Sequence, residues 1–141
     1  MPFHLEEFLP YRLSVAATQV SRRFAALYAA EAGLSIPEWR VLAHLDQSAE
    51  VSVRDIHRRV NLDKSVVSRA ASRLEGAGLV CKSGHDRDRR LIVLKLTPGG
   101  KALMDRLAPL AEQFQAQLLA ELGADATGLG RALDRLGASR D

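Results

Sequence analysis

A mainly α-helical fold carrying one small β-hairpin is what this sequence predicts, on three observations. Apolar residues make up 47% of the chain and aromatics only 5%, a balance dominated by Ala and Leu, both strong helix formers. Along most of the 141 residues the apolar positions recur at three- and four-residue steps, the rhythm of amphipathic helices. That rhythm changes between Leu79 and Leu96, where two β-rich segments flank the polar loop GHDRDRR, the pattern of a hairpin. The length is that of one domain, taken here as residues 1–141.

The elements follow in order. Residues 5–32 read as one long helix: Leu13, Ala16, Ala17, Val20, Phe24, Leu27 and Tyr28 share a face, and Gly33 ends it. In SIPEW, Ser35 and Glu38 have the spacing of a capping box, and Pro37 is tolerated in a first turn. The helix they open is expected to run to about Asp46, with Trp39, Leu42, Ala43 and Leu45 inward. Ser52 repeats the capping pattern in SVRD and starts a short helix through Val53, Ile56 and Val60.

Only NLD separates that helix from DKSVVSRAASRLEGAGLV, residues 63–80. Asp63 is placed to accept the free first-turn N–H groups of a helix. At 100° per residue, Val66, Val67, Ala70, Ala71 and Leu74 fall on one arc, and Ser65, Ser68, Arg69 and Ser72 on the other. Lys64 and Arg73 lie at the edges, and Gly76 and Gly78 are able to take the left-handed conformation that ends helices. Leu79–Ser83 and LIVLKLT form the hairpin. Thr97 then caps a helix with Pro98 in its first turn, running to Leu122 with a kink expected at Pro109. Residues 126–137 make a last short helix.

A short helix, a tight turn and an amphipathic helix are the parts of a helix-turn-helix, whose second helix lies in the DNA major groove. Charge supports this assignment. The net charge is +3, yet residues 52–90 alone carry ten Lys or Arg against five Asp or Glu, leaving −2 for the rest. A basic middle between mildly acidic arms is the footprint of a nucleic-acid-binding module. Short hydroxyls on the outer face of residues 64–76 allow close approach to bases and phosphates, and Arg pairs with guanine. Ser65, Ser68 and Arg69 are the leading contacts; Arg54 and Lys64 are secondary phosphate candidates. Arg73 is open between a phosphate contact and a role in the fold. In the hairpin tip, Arg89 or Arg90 is assigned to the minor groove, and Arg87 is open between a phosphate contact and solvent.

Other classes find little support. The four His lie apart at positions 4, 44, 57 and 85, and no Gly-rich phosphate loop, H-E-x-x-H or G-x-S-x-G is present, so no enzyme, cofactor or metal is expected. Residues 52–90 contain no aromatics for stacking single-stranded RNA. A winged module serving protein binding would not need arginines on both the helix and the hairpin. No apolar run reaches bilayer length, and MPFHLEEFLP has acidic residues where a signal peptide needs a basic start. A cytoplasmic protein without a membrane partner is expected.

The stretch from Leu34 to Gly100 resembles the MarR family of bacterial transcription regulators. LSIPEWRVLAHL (34–45), RLEGAGLV (73–80), DRR (88–90) and LKLTPGG (94–100) carry the resemblance. It implies a winged helix-turn-helix over residues 35–96, flanked by N- and C-terminal dimerisation helices at 5–32 and 97–140. It further implies a homodimer on a palindromic operator of double-stranded DNA, with repression relieved by a small aromatic or anionic ligand, including an acyl thioester, or by cysteine oxidation. His85 stands where family wings often carry an acidic residue. Peroxide-sensing members use a cysteine in the first helix; this chain has only Cys81, in a strand at the base of the wing, which favours a small apolar filler over a redox sensor. For an anionic ligand, an Arg supplies bidentate pairing; Arg12, Trp39 with Arg40, and His57 are the candidates. Core packing is the leading account of Trp39, and a solvated side chain is the alternative for Arg40 and for His57.

Overall fold

The computed structural model of the chain describes residues 2–48, 50–84 and 92–137. The helices are α1 (Leu9–Ala32), α2 (Ile36–Ser48), α3 (Val53–Arg59), α4 (Lys64–Gly76), α5 (Pro98–Leu122) and α6 (Asp125–Gly137). The strands are β1 (Glu50–Ser52), β2 (Val80–Gly84) and β3 (Ile92–Leu96). This is the expected mainly α architecture with its β-hairpin. The chain packs as two units, one up to Ala108 and one from Pro109.

The first unit holds the helix-turn-helix and the sheet. Its core gathers Val41, Leu42 and Leu45 of α2, Ile56 of α3, Val67, Ala70 and Leu74 of α4, and Leu103 and Leu107 of α5. Burying these side chains supplies the main force that holds the helices together. Two ion pairs fasten the first half of α5: Lys101 Nζ lies 3.0 Å from Asp46 Oδ1, and an Arg106 guanidinium nitrogen lies 3.2 Å from Glu31 Oε1. Asp46 raises the Lys101 pKa above its ordinary value, chiefly through its hydrogen bond. The Arg106–Glu31 pair is solvent-exposed and orients the helix more than it stabilises it, while in the other pair Asp46 is half-buried under an exposed Lys101.

The N-terminal helix differs from the expectation. Instead of one helix from residue 5, Leu5–Glu7 form a single 3₁₀ turn, Phe8 is extended, and α1 begins at Leu9 with Pro10 in its first turn. A continuous helix would clash at Pro10, whose ring meets the carbonyl four residues back and which has no N–H to donate. Of the expected α1 face only Tyr28 is buried; Leu13, Val20 and Leu27 remain exposed.

The sheet has three strands rather than two, in the order β1-β3-β2, all antiparallel. Cys81 faces Lys95 across β2 and β3, and Val51 faces Leu94 across β1 and β3. The third strand, β1, lies just before α3 and anchors the start of the helix-turn-helix to the hairpin. The predicted cap works: Ser52 Oγ accepts the Asp55 N–H at 3.2 Å. So does the capping box of α2, where Glu38 N–H donates to Ser35 Oγ at 3.3 Å and Ser35 N–H donates to Glu38 Oε1 at 2.9 Å. Asp63 does occupy the N-cap of α4, in extended conformation, but its side chain makes no capping hydrogen bond. Its carboxylate therefore acts on the helix only through the dipole.

One device ends both helices of the motif. After α3, Leu62 N–H donates to His57 O at 3.1 Å and Asn61 N–H to Arg58 O at 3.4 Å, with Asn61 at φ 58°. After α4, Leu79 N–H donates to Leu74 O at 2.9 Å and Gly78 N–H to Glu75 O at 3.0 Å, with Gly78 at φ 77°. Both are Schellman motifs, with the left-handed residue just past the cap and an apolar residue after it. Gly78 rather than Gly76 serves this role after α4; Gly76 is the last helical residue. Asn61 is a tolerated substitute for glycine, because its short polar side chain suits the left-handed region. Asn61→Val is expected to cost about 1–2 kcal/mol of stability, and Asn61→Gly close to nothing. Equilibrium urea unfolding checks this; equal stability of the two variants contradicts it.

In the second unit, α5 continues beyond Pro109 to Leu122, and Gly123, at φ 56°, leads into α6. Leu129, Leu133 and Leu136 of α6 are exposed, at 42–57%.

Candidate nucleic-acid interface

The outer face of α4 is built by burial of the opposite face. Val67, Ala70, Ala71 and Leu74 are buried, which leaves Lys64, Ser65, Ser68, Arg69, Ser72 and Arg73 in solvent. Two buried alanines let α4 sit close to the core, while the serines keep its outer face low. A low surface with few long side chains is what close approach to base edges requires.

The basic residues divide by what holds them. Arg58 donates to Asp55 Oδ1 at 2.9 Å, and this hydrogen bond, with a second from the Ser52 side chain, holds the Asp55 pKa below its ordinary value. Lys82 on β2 pairs with Glu75 on α4 at 3.6 Å. Arg73 Nε lies 3.6 Å from Glu38 Oε2, so the carboxylate that caps α2 also holds α4. Arg73 therefore has a role in the fold. By contrast Arg54, Lys64 and Arg69 are exposed and make no ion pair among the described residues. Their charge is uncommitted and available to phosphates or bases. Arg87, Arg89 and Arg90 lie outside the described residues. The strands that carry them are described up to Gly84 and from Ile92.

The base of the wing is pinned to the end of α4 by the TPGG segment. Thr97 Oγ1 donates to Gly78 O at 2.6 Å and accepts the Gly100 N–H at 3.0 Å, while Thr97 N–H donates to Leu79 O at 3.1 Å. Thr97 thus caps α5, as expected, and also ties it to the turn after α4. Gly100 is buried directly over Leu79: a Cβ there would stand 2.0 Å from the Leu79 carbonyl oxygen.

The four ligand candidates do not converge on one site. Arg12 lines a groove of about 540 Å³ along the start of α1, with Glu6, Leu9, Tyr11 and Leu13 among its walls. Trp39 and Arg40 line a different groove of about 330 Å³ between α2 and the end of α3, together with Ala43, His44, Gln47, Arg59 and Val60. His57 lines neither of these two grooves; its Nδ1 is buried without a hydrogen-bond partner. Trp39 stacks on Tyr28, ring centroids 5.4 Å apart and planes 20° apart, and meets Phe24 edge to face at 5.0 Å. Core packing accounts for most of that indole. Burial raises the Tyr28 pKa despite the Arg40 charge nearby.

Sequence reading passed over His44 and Arg59. His44 is four residues after Arg40, one turn along the same face of α2, a signal that was readable. Arg59 joins them only through the packing of α3 on α2. Cys81 is half-buried in β2.

Comparison with known proteins agrees with this geometry. A MarR family model matches residues 32–91, the span of α2 through the hairpin tip. The HTH-type transcriptional repressor Rv2887 of Mycobacterium tuberculosis is 29% identical over 132 residues, covering 92% of this chain and 91% of that protein. A MarR family transcriptional regulator from Silicibacter pomeroyi is similar in structure at a TM-score of 0.81 and 29% identity, covering 95% of this chain and 88% of that one. A MarR/EmrR family regulator from Acinetobacter sp. ADP1 matches at a TM-score of 0.84 and 26% identity, covering 95% of each chain.

Proposed function

Because the chain belongs to the MarR family of transcription regulators, we propose that it acts in the cytoplasm as a ligand-responsive repressor. It binds a palindromic operator as a homodimer and is released by a small aromatic or acyl-thioester ligand. The observation that carries the reading is the outer face of α4. There hydroxyls and Arg69 stand exposed on the second helix of a helix-turn-helix, with Lys64 at its start and Arg54 on the first helix, none of these cations in an ion pair among the described residues. In this role Ser65, Ser68 and Arg69 face the major groove, and Arg54 and Lys64 the phosphates. Arg89 or Arg90 grips the minor groove from the wing. The name of the mycobacterial relative favours repression over activation.

Dimerisation rests on uncovered apolar surface. Leu9 is 64% exposed, and Leu13, Val20 and Leu27 continue along α1; on α6, Leu129 and Leu133 are exposed as well. A soluble chain seldom leaves such stripes open. In a two-fold dimer the recognition helices stand about one DNA turn apart, roughly 34–36 Å. Light scattering at micromolar concentration is expected to give twice the chain mass; a monomer contradicts the dimer. Fluorescence anisotropy with an operator selected from random duplexes tests the DNA reading. A two-fold symmetric selected site supports it, and a selection that enriches no sequence opposes it. Effector contacts are drawn from Arg12, Trp39, Arg40 and His57.

A further inference from the structure

Where the end of α3 meets α2, positive charge gathers with no acid to balance it. Arg40, His44 and Gln47 come from α2, and Arg59 and Val60 from the end of α3. No Asp or Glu lines this seam, and α1, α4, β1 and β3 contribute no residue to it. The carboxylates of α2 are engaged elsewhere, Glu38 with Arg73 and Asp46 with Lys101. On α3, Asp55 pairs with Arg58. Among the described residues neither Arg40 nor Arg59 has an ion pair.

His44 is half-buried in the seam, and its Nε2 is buried with no hydrogen-bond partner. A neutral imidazole tolerates this, because it can carry its single proton on Nδ1 and leave Nε2 a bare lone pair. The imidazolium cannot. Both nitrogens then bear N–H, and the Nε2–H would lie buried without an acceptor and near the Arg59 charge. Burial first, and the charge of Arg59 second, lower the His44 pKa from its ordinary value. The native state therefore binds this proton more weakly than an opened or unfolded chain. Stability from this source is complete above the ordinary histidine pKa of about 6.5. It is lost as the pH falls from there through the native pKa.

The part that can give way is the end of α3. The helix has only 7 residues, Arg59 is exposed, and its hydrogen bond to Ser48 Oγ is long, at 3.4 Å. We propose that His44 is an acid-sensitive latch: when it takes up a proton, the end of α3 parts from α2, so that Nε2–H reaches water and the ring leaves the neighbourhood of Arg59. The Asn61 turn joins α3 to α4, so opening the latch loosens the seat of α4. On the operator reading above, acid then weakens DNA binding through this residue, but the latch itself needs no DNA.

The test is NMR on the full-length protein without DNA, from about pH 7.5 to about pH 5, the range in which histidine titrates. It follows the assigned histidine rings together with amide hydrogen exchange, expressed as protection factors. The His44 ring is expected to titrate below the ordinary histidine value. Protection of the α3 amides should fall with it, by at most about tenfold per pH unit because one proton is involved, while α5 amides around Leu103 and Leu107 hold. His44→Gln should keep α3 protected across the range. Arg59→Gln should raise the His44 pKa and shrink the loss. His57→Gln is the control, since His57 lies on α3 itself and its Nδ1 is also buried without a partner; the loss should persist in it. The ring titration and the Arg59 and His57 variants decide the matter even if His44→Gln folds poorly. Equal pH dependence of α3 protection in wild type and His44→Gln, its disappearance in His57→Gln, or a His44 titration unmoved by Arg59→Gln overturns the proposal. Since no DNA is present, each of these results leaves the operator reading standing, and a failed operator assay leaves the latch standing.

Discussion

Gly100→Ala should be the most damaging single methyl addition in the first unit. The added Cβ would fall 2.0 Å from the Leu79 carbonyl oxygen, 3.1 Å from its carbon and 3.2 Å from Leu96 Cδ2. The nearest obstacle is backbone, and it is already held: Leu79 O accepts the Thr97 N–H, and Leu79 N–H closes α4 on Leu74 O. Neither side can yield by rotating a side chain. Overpacking of this kind costs about 3 kcal/mol, which for a chain of this length lowers Tm by roughly 10 °C. Gly99 is the internal control. A Cβ there meets Gly78 O at 3.4 Å, ordinary contact, so Gly99→Ala should change Tm by no more than a degree or two. The check is thermal unfolding at one fixed protein concentration, because the Tm of the proposed dimer would depend on it. Equal Tm for the two variants would mean that the α5–Leu79 crossing is looser than described.

That crossing marks how far the sequence could be read. LKLTPGG stood out as a family-like string, but its physical reason is a contact between residues 21 apart, which no local pattern contains. The helices were legible because each carries its own signal. For α4 it is the alternation of Val and Ala with Ser and Arg at helical spacing, and for α2 and α3 it is Ser35–Glu38 and Ser52–Asp55 at cap spacing. Strand β1 was not legible: three residues have no period, and they are extended because β3 offers a ladder. The break at Phe8 was readable from Pro10 but was outweighed by the apolar stripe that spans it. The left-handed Asn61 was equally hidden, since asparagine only permits that conformation.

The site was legible in part for the same reason. The exposed face of α4 follows from one helix's periodicity. Which arginines are free does not, because Glu38 reaches Arg73 across 35 residues and Asp55 reaches Arg58 locally. Separating committed from uncommitted cations needed coordinates. The Arg40–His44–Arg59 groove likewise depends on how α3 lies against α2. The arginines of the hairpin tip lie outside the described residues, and their role stands as an expectation of the sequence that DNA-binding measurements must test.

Arg69→Ala and the wing variants should lose DNA in different ways. Arg69 is an exposed cation on the solvent face of α4, with no ion pair among the described residues. Removing a bidentate base contact costs about 1–3 kcal/mol per half-site and relaxes preference at one position. Arg89→Ala or Arg90→Ala removes a charge from the minor groove or the backbone. The effective wing variant should weaken all duplexes more evenly and flatten log affinity against log salt by about one unit per subunit. A narrow A·T-rich groove can add some sequence preference to the wing contact. The single measurement that bears most directly on the account is the affinity of wild type, Arg69→Ala, Arg89→Ala and Arg90→Ala for a selected operator and for scrambled duplex across several salt concentrations. The account predicts that Arg69→Ala closes the gap between operator and scrambled duplex, while one wing variant lowers both curves and their slope. Unchanged affinity and unchanged slope in all three variants, on folded dimeric protein, would contradict it.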